Sequence, residues 1–93
     1  VPKPDISGRE QIFEIHSREM NTVDDVDFKA LAEMAENASG AEIEAVCTEA
    51  GMFAIRDGRT TVETSDFEAA YEKIQRVGDE EGEVASPTSP AFA

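Results

Sequence analysis

Between Ser39 and Gly58 the chain carries its most constraining stretch. Ser39-Gly40-Ala41-Glu42 has the form of a capping box: the serine hydroxyl accepts from the backbone N–H three residues on, and the glutamate reaches back to the serine N–H. Beyond it Ile43, Val46, Cys47, Ala50 and Ala54 recur at helical spacing, and Met52 and Ile55 widen the apolar surface past a single stripe. Gly58 follows as a stop. A helix over about residues 41–57 that is apolar on more than one side must lie between neighbours. It predicts the centre of an all-α bundle.

The flanking sequence supplies those neighbours. Residues 1–6 read as an extended linker, because Pro2 and Pro4 disfavour helical backbone. Ser7-Gly8-Arg9-Glu10 repeats the capping-box form and predicts a helix from Ser7 to about Met20. Along it Ile12, Ile15 and Glu19 fall at helical spacings, as do Ile12 and His16, with Phe13 on the flank of Met20. Residues 21–26 read as a loop, and Asp27 is a good N-cap for a second helix. There Phe28, Leu31, Ala32 and Ala35 recur at i, i+3, i+4 and i+7, and Asn37 suits the left-handed conformation that ends a helix. Thr60-Thr61-Val62 is extended but too brief to build a sheet. Thr64 or Ser65 caps a last helix that buries Phe67, Ala70, Tyr71 and Ile74 and ends at Val77-Gly78. The remainder is acidic, then rich in Pro, Ser and Thr, and lacks the apolar surface to order itself. The expected organisation is a linker at 1–6, a four-helix domain at 7–77 and a flexible acidic tail at 78–93.

Composition limits what such a domain does. A chain of 93 residues holds one small domain. With 21 acidic against 8 basic side chains its net charge is −13, which repels phosphate backbones and anionic membrane surfaces; neither nucleic acid nor membrane is expected as a partner. No apolar run approaches the ~20 residues of a membrane span. The amino-terminal Val1-Pro2-Lys3-Pro4 has neither signal-peptide apolar region nor initiator Met, so a piece of a longer, cytoplasmic protein is expected. The lone Cys47 reads as a small buried hydrophobe and permits no internal disulfide. Asp24, Asp25 and Asp27 lack the Gly and terminal Glu of a calcium loop and read as loop and cap. No phosphate loop, zinc spacing or nucleophile elbow is present, so no catalytic or metal-ligating residue is assigned. Self-repulsion at this charge destabilises a compact state unless salt screens it, which points to a salt-rich cytoplasm and a halophilic source.

One pattern is more specific. It runs Pro-x-x-x-Gly-Arg-x-x-Ile-Phe-x-Ile-His-x-Arg-x-Met from Pro4 to Met20. After Val26-Asp27-Phe28 and Leu31-Ala32 it continues Ser-Gly-Ala-Glu-Ile-x-x-Val-Cys-Thr-Glu-Ala-Gly-Met-x-Ala-Ile-Arg from Ser39, and closes with Asp66-Phe67-x-x-Ala70. It resembles the small carboxy-terminal helical lid of AAA ATPases, and within them the archaeal proteasome-activating nucleotidases and the ATPase subunits of the proteasome cap. The stretch Val46 to Met52 carries the proteasomal flavour, and the likeness covers residues 4–77.

The resemblance implies a lid that follows a large αβ nucleotide-binding domain, with ATP between the two and Mg2+ held by the large domain. Ile12 matches a position that packs on the adenine, and His16 one that contacts the base or ribose. Two residues spaced i, i+4 share a helix face and can reach one ligand. Gly40 and Ala41 match small residues that let backbone approach the purine at a helix N-terminus. Where many AAA+ relatives place a phosphate-touching arginine, Glu42 stands here. Proteasomal ATPases often end in hydrophobic–Tyr–any residue, which docks between α subunits of the core particle; this chain ends Ala91-Phe92-Ala93, keeping the ring and the terminal carboxylate without the hydroxyl. The partners so implied are the protein's own large domain, neighbouring subunits of a homo-hexamer, the α-ring of the proteasome core particle and protein substrates to be unfolded. Two alternatives stay open at this level: the lid of another AAA machine, such as a segregase or membrane protease, and a non-enzymatic helical adaptor.

Overall fold

The structure, a computed structural model, describes residues 2–84. Four helices follow in chain order: α1 (Ile6–Ser17), α2 (Phe28–Met34), α3 (Gly40–Arg56) and α4 (Thr64–Val84). Helix α1 packs on α2 and α3, and α3 packs on α4, so the longest apolar stretch of the sequence lies inside the bundle as expected. The core joins Phe13 of α1, Leu31 of α2, Ile43, Val46, Cys47 and Ala50 of α3, and Phe67 and Ala70 of α4. Phe67 is the common ring, meeting Phe13 and Phe28 edge-to-face at centroid distances of 6.2 and 6.4 Å.

Local chemistry sets most helix ends. The Ser39–Glu42 box is closed in both directions, at 3.1 Å from the Glu42 N–H to Ser39 Oγ and 2.8 Å from the Ser39 N–H to Glu42 Oε1. The Asp27 carboxylate accepts from the Ala30 N–H, and Asn37 takes φ +69° after α2. At the end of α3, Gly58 takes φ +75°. Its N–H donates to the Ile55 carbonyl while that of Arg59 donates to Ala54, a complete Schellman arrangement. The loops after α1 and α3 are tied by one parallel bridge, Thr22 to Val62, flanked by Val23 N–H to Val62 O and Val62 N–H to Asn21 O.

Four helix ends differ from the sequence expectation, in position or in cap. Helix α1 begins at Ile6, capped by Asp5 rather than Ser7: Asp5 Oδ1 accepts from the Gly8 N–H at 2.8 Å. Both residues are strong N-caps, and the Asp5 end is additionally held by the Arg9 Nη1 donating to the Pro4 carbonyl at 3.2 Å. The helix also stops at Ser17, and residues 18–20 form a turn. Helix α4 opens at Thr64 with neither Thr64 nor Ser65 as the capping side chain. Instead the Asp66 carboxylate reaches back to the Glu63 N–H at 2.8 Å. It also continues past Val77-Gly78 to Val84. A glycine inside a helix costs about 1 kcal/mol against alanine, too little by itself to end α4. Residues 85–93, and with them Ala91, Phe92 and Ala93, lie outside the described residues.

Two polar features escaped the sequence reading. Arg59 at the α3–α4 turn grips Asp66 through two bonds of 2.8 Å and Asp57 through a third. Asp66 is buried, and the guanidinium beside it holds its carboxyl below the ordinary carboxylate value. Ser17 is buried on α1 with no well-formed partner for its Oγ.

Candidate functional site

Helices α1 and α3 lie side by side and in step. Ile12 Cδ1 stands 3.6 Å from the place a Cβ on Gly40 would occupy, and Met20 Cε stands 3.5 Å from the corresponding point on Gly51. His16 lies between these levels. It is half-buried and lines a groove of about 350 Å³ with Glu44, Cys47, Thr48 and Gly51 of α3. Ile12, His16 and Gly40 therefore share one seam, with Ile12 over the first residue of α3 and His16 one turn further along. Ala41 follows Gly40 in the first turn of α3, and its side chain is exposed.

The start of α3 has donors to spare. The first N–H groups of a helix lack intrahelical acceptors. Ser39 and Glu42 satisfy each other, and the Ile43 N–H reaches Ser39 O at 3.0 Å. The N–H groups of Gly40 and Ala41 have no protein acceptor among the described residues. Gly40 meets nothing nearer than Ile12, so the backbone there is open to a flat ligand. Glu42 is spent on the cap and offers no cationic contact to a phosphate.

Charge along the seam is negative or absent. The His16 groove is bordered by Glu19 and Glu44 and by no Lys or Arg. Cys47 beneath it is held as the neutral thiol, since burial pushes its pKa up to about 12; the adjacent Ser17 hydroxyl offsets only part of this. A buried thiol held neutral is a poor nucleophile at neutral pH. The bundle's basic groups lie elsewhere. Arg56 and Lys73 stand over the Phe53 ring, 5.0 and 5.7 Å from its centroid, and both pair with Glu49. The seam is thus chemically suited to an uncharged aromatic face rather than to a polyphosphate.

Along the same His16 groove, α3 presents Met52 at 47% and Ile55 at 73% exposure. The second apolar stripe expected from sequence is real, and the described residues leave it uncovered. Among the described residues no helix is long and apolar enough to cross a membrane.

Comparison with known proteins fits this architecture. Residues 25–69 match the AAA+ lid domain family. Proteasome-activating nucleotidase 1 of Haloferax volcanii is 65% identical over all 93 residues, which make up 22% of that protein. Proteasome-activating nucleotidase 1 of Halobacterium salinarum is 52% identical over the same span, again 22% of its length. The proteasome-activating nucleotidase of Archaeoglobus fulgidus is 58% identical over 74 residues, 80% of this chain and 19% of the relative. The chain thus spans about a fifth of the length of the relatives it matches. Fold, family match and relatives together show that the chain belongs to the AAA+ lid domain family and is akin, over its whole length, to archaeal proteasome-activating nucleotidases.

Proposed function

We propose that this chain is the adenine-facing lid of a hexameric, ATP-dependent, proteasome-activating unfoldase of a halophilic archaeon, working in the cytoplasm. The observation that carries the reading is the seam itself: Ile12 lies against the open first residue of α3, with His16 one turn further along. An apolar side chain, a residue with no Cβ and two free backbone N–H groups suit one purine face and its ring nitrogens. Ile12 packs on the base, Gly40 lets backbone approach it, the Gly40 and Ala41 N–H groups donate to it, and His16 orients base or ribose. The acidic seam leaves the triphosphate and Mg2+ to a large domain elsewhere in the full-length protein. ATP, when bound, supplies the free energy of γ-phosphate hydrolysis; the lid's residues hold its base and pass domain closure to the neighbouring subunit. Relatives from Haloferax and Halobacterium support the halophilic source.

The test is His16→Ala in the full-length ATPase. His16 is half-buried, so the fold should survive. KM for ATP should rise about fivefold to tenfold, equivalent to about 1–1.4 kcal/mol, and the preference for ATP over GTP should fall. Unchanged KM and unchanged preference would remove His16 from the site. Deleting Ala91, Phe92 and Ala93 tests the docking part separately: stimulation of the proteasome core particle should be lost while ATPase activity persists. Retained stimulation points to another AAA machine. The 93-residue chain by itself should release no phosphate from ATP.

A further inference from the structure

Arg9 is 8% exposed and is the one buried basic side chain among the described residues. No carboxylate pairs with it there. Its Nε donates to the Ala32 carbonyl at 2.9 Å, and its Nη1 donates to the Pro4 carbonyl at 3.2 Å. The first acceptor lies in the last turn of α2, where carbonyls lack helical partners and a cation is favoured. The second lies in the segment that leads into α1. One planar guanidinium thus ties that segment to α2 across the body of α1.

The same segment is fastened at three further points. The Arg9 N–H donates to Asp5 O at 2.8 Å, and the Gly8 N–H donates to Asp5 Oδ1 at 2.8 Å. A Cβ on Gly8 would lie 3.1 Å from Pro4 Cβ and 3.3 Å from Asp5 Oδ1, tighter than ordinary contact. The missing side chain lets Pro4-Asp5 lie flat on the first turn of α1. Pro4 also fixes its own φ and restricts Lys3.

From this geometry we infer that Pro4-Asp5 belongs mechanically to the four-helix body. Arg9 is the positioning residue that straps it there, so the pivot between lid and large domain lies on the amino-terminal side of Pro4. The inference rests on the reading of this chain as an ATPase lid. A strap of this kind makes the linker move with the bundle, and a swing of the large domain reaches α1, α2 and the seam as one rigid displacement. Without it, motion is absorbed at the start of α1.

Hydrogen exchange on the full-length ATPase, read by mass spectrometry, tests the strap directly. The Gly8 and Arg9 amides stand in the first turn of α1 and are protected only while Asp5 accepts from them. They should exchange at least tenfold more slowly than free amides, to the same degree with ATP analogue, with ADP and without nucleotide. Arg9→Met keeps the stem and removes the donors. It should speed exchange at both amides at least threefold, leave Val46 and Ala50 in α3 protected, and lower kcat about tenfold with KM for ATP within twofold. Arg9→Lys, with one flexible donor, should restore part of both. If Arg9→Met does not fold, Gly8→Ala, which pushes Pro4 off the helix, should show the same split. Protection that changes tenfold between ATP and ADP states in the unaltered protein overturns the pivot's location. Protection unmoved by Arg9→Met or Gly8→Ala overturns the strap, and unchanged kcat overturns its role in coupling. An intact protein with no ATPase activity refutes the lid reading instead, and exchange without nucleotide still judges the strap.

Discussion

Replacing Gly40 by alanine separates the two roles open to that residue, because they respond in opposite directions. Gly40 is the first residue of α3 and its backbone has no positive φ. A Cβ there would meet only Ile12 Cδ1, at the ordinary contact distance of 3.6 Å. The fold should therefore gain. Alanine is favoured over glycine by about 0.8–1 kcal/mol in a helix interior, and roughly half of that is reasonable at a first residue. At about 4–8 °C per kcal/mol for a domain of this size, Tm of the chain should rise by about 2–4 °C in calorimetry. Nucleotide binding should lose. The new methyl fills the space beside Ile12 where backbone would approach the purine. A tenfold rise in KM for ATP in the full-length protein corresponds to about 1.4 kcal/mol and should appear with kcat little changed. A raised Tm with KM within twofold would mean that Gly40 merely eases the start of α3 and that no base lies against it. A Tm lowered by several degrees would refute the Ile12–Gly40 geometry itself.

Other outcomes follow from particular side chains. Ser17→Ala removes a buried hydroxyl without a well-formed partner and installs a better helix former, so stability to urea should be unchanged or up to about 1 kcal/mol higher; a loss above 1 kcal/mol would reveal a bond that Ser17 does make. Asp66→Asn keeps the shape but loses the ion pair with Arg59, and should cost about 1 kcal/mol or less at neutral pH. Because the folded pKa of Asp66 lies below its ordinary value of 3.8, that advantage is complete above this pH and disappears as pH falls through the lower folded value. The difference between unaltered and Asp66→Asn chains, followed by circular dichroism, should therefore narrow only below about pH 4; narrowing near pH 6 would contradict the assignment. With a net charge of −13, Tm should climb between about 0.1 and 2 M KCl as the screening length shrinks from about 10 Å to below 3 Å, and a flat profile would remove self-repulsion as a significant term.

Much of the fold was legible because its punctuation is local. The Ser39–Glu42 box, the Asp27 cap, the left-handed Asn37 and the Gly58 stop each depend on residues within one turn, and each lies where the chain's own chemistry puts it. The start of α1 was not legible, since Asp5 and Ser7 are caps of similar quality. The Asp5 end is fastened by Arg9, which bonds Pro4 O and also Ala32 O, 23 residues away, and no local spacing announces that contact. The bonds from Arg59 to Asp66 likewise close only when the α3–α4 turn has formed, and no spacing rule announces them. Helix α4 runs past Gly78 because one glycine is a weak stop where a left-handed turn does not follow. At the seam, the i, i+4 spacing of Ile12 and His16 is readable from sequence alone. Their placement beside Gly40 depends on how α1 sits on α3, which only packing decides. The purine itself came from family likeness, as neither spacing nor burial names a ligand.

The bare shoulder formed by Met52 and Ile55 has a consequence in brine. In dilute buffer two copies of so anionic a chain repel one another before these side chains can meet. Concentrated electrolyte removes that long-range barrier while leaving the attraction between oily surfaces intact. The ionic conditions that ease self-repulsion within the bundle thus also lower the charge barrier around its exposed shoulder, so one salt acts on both.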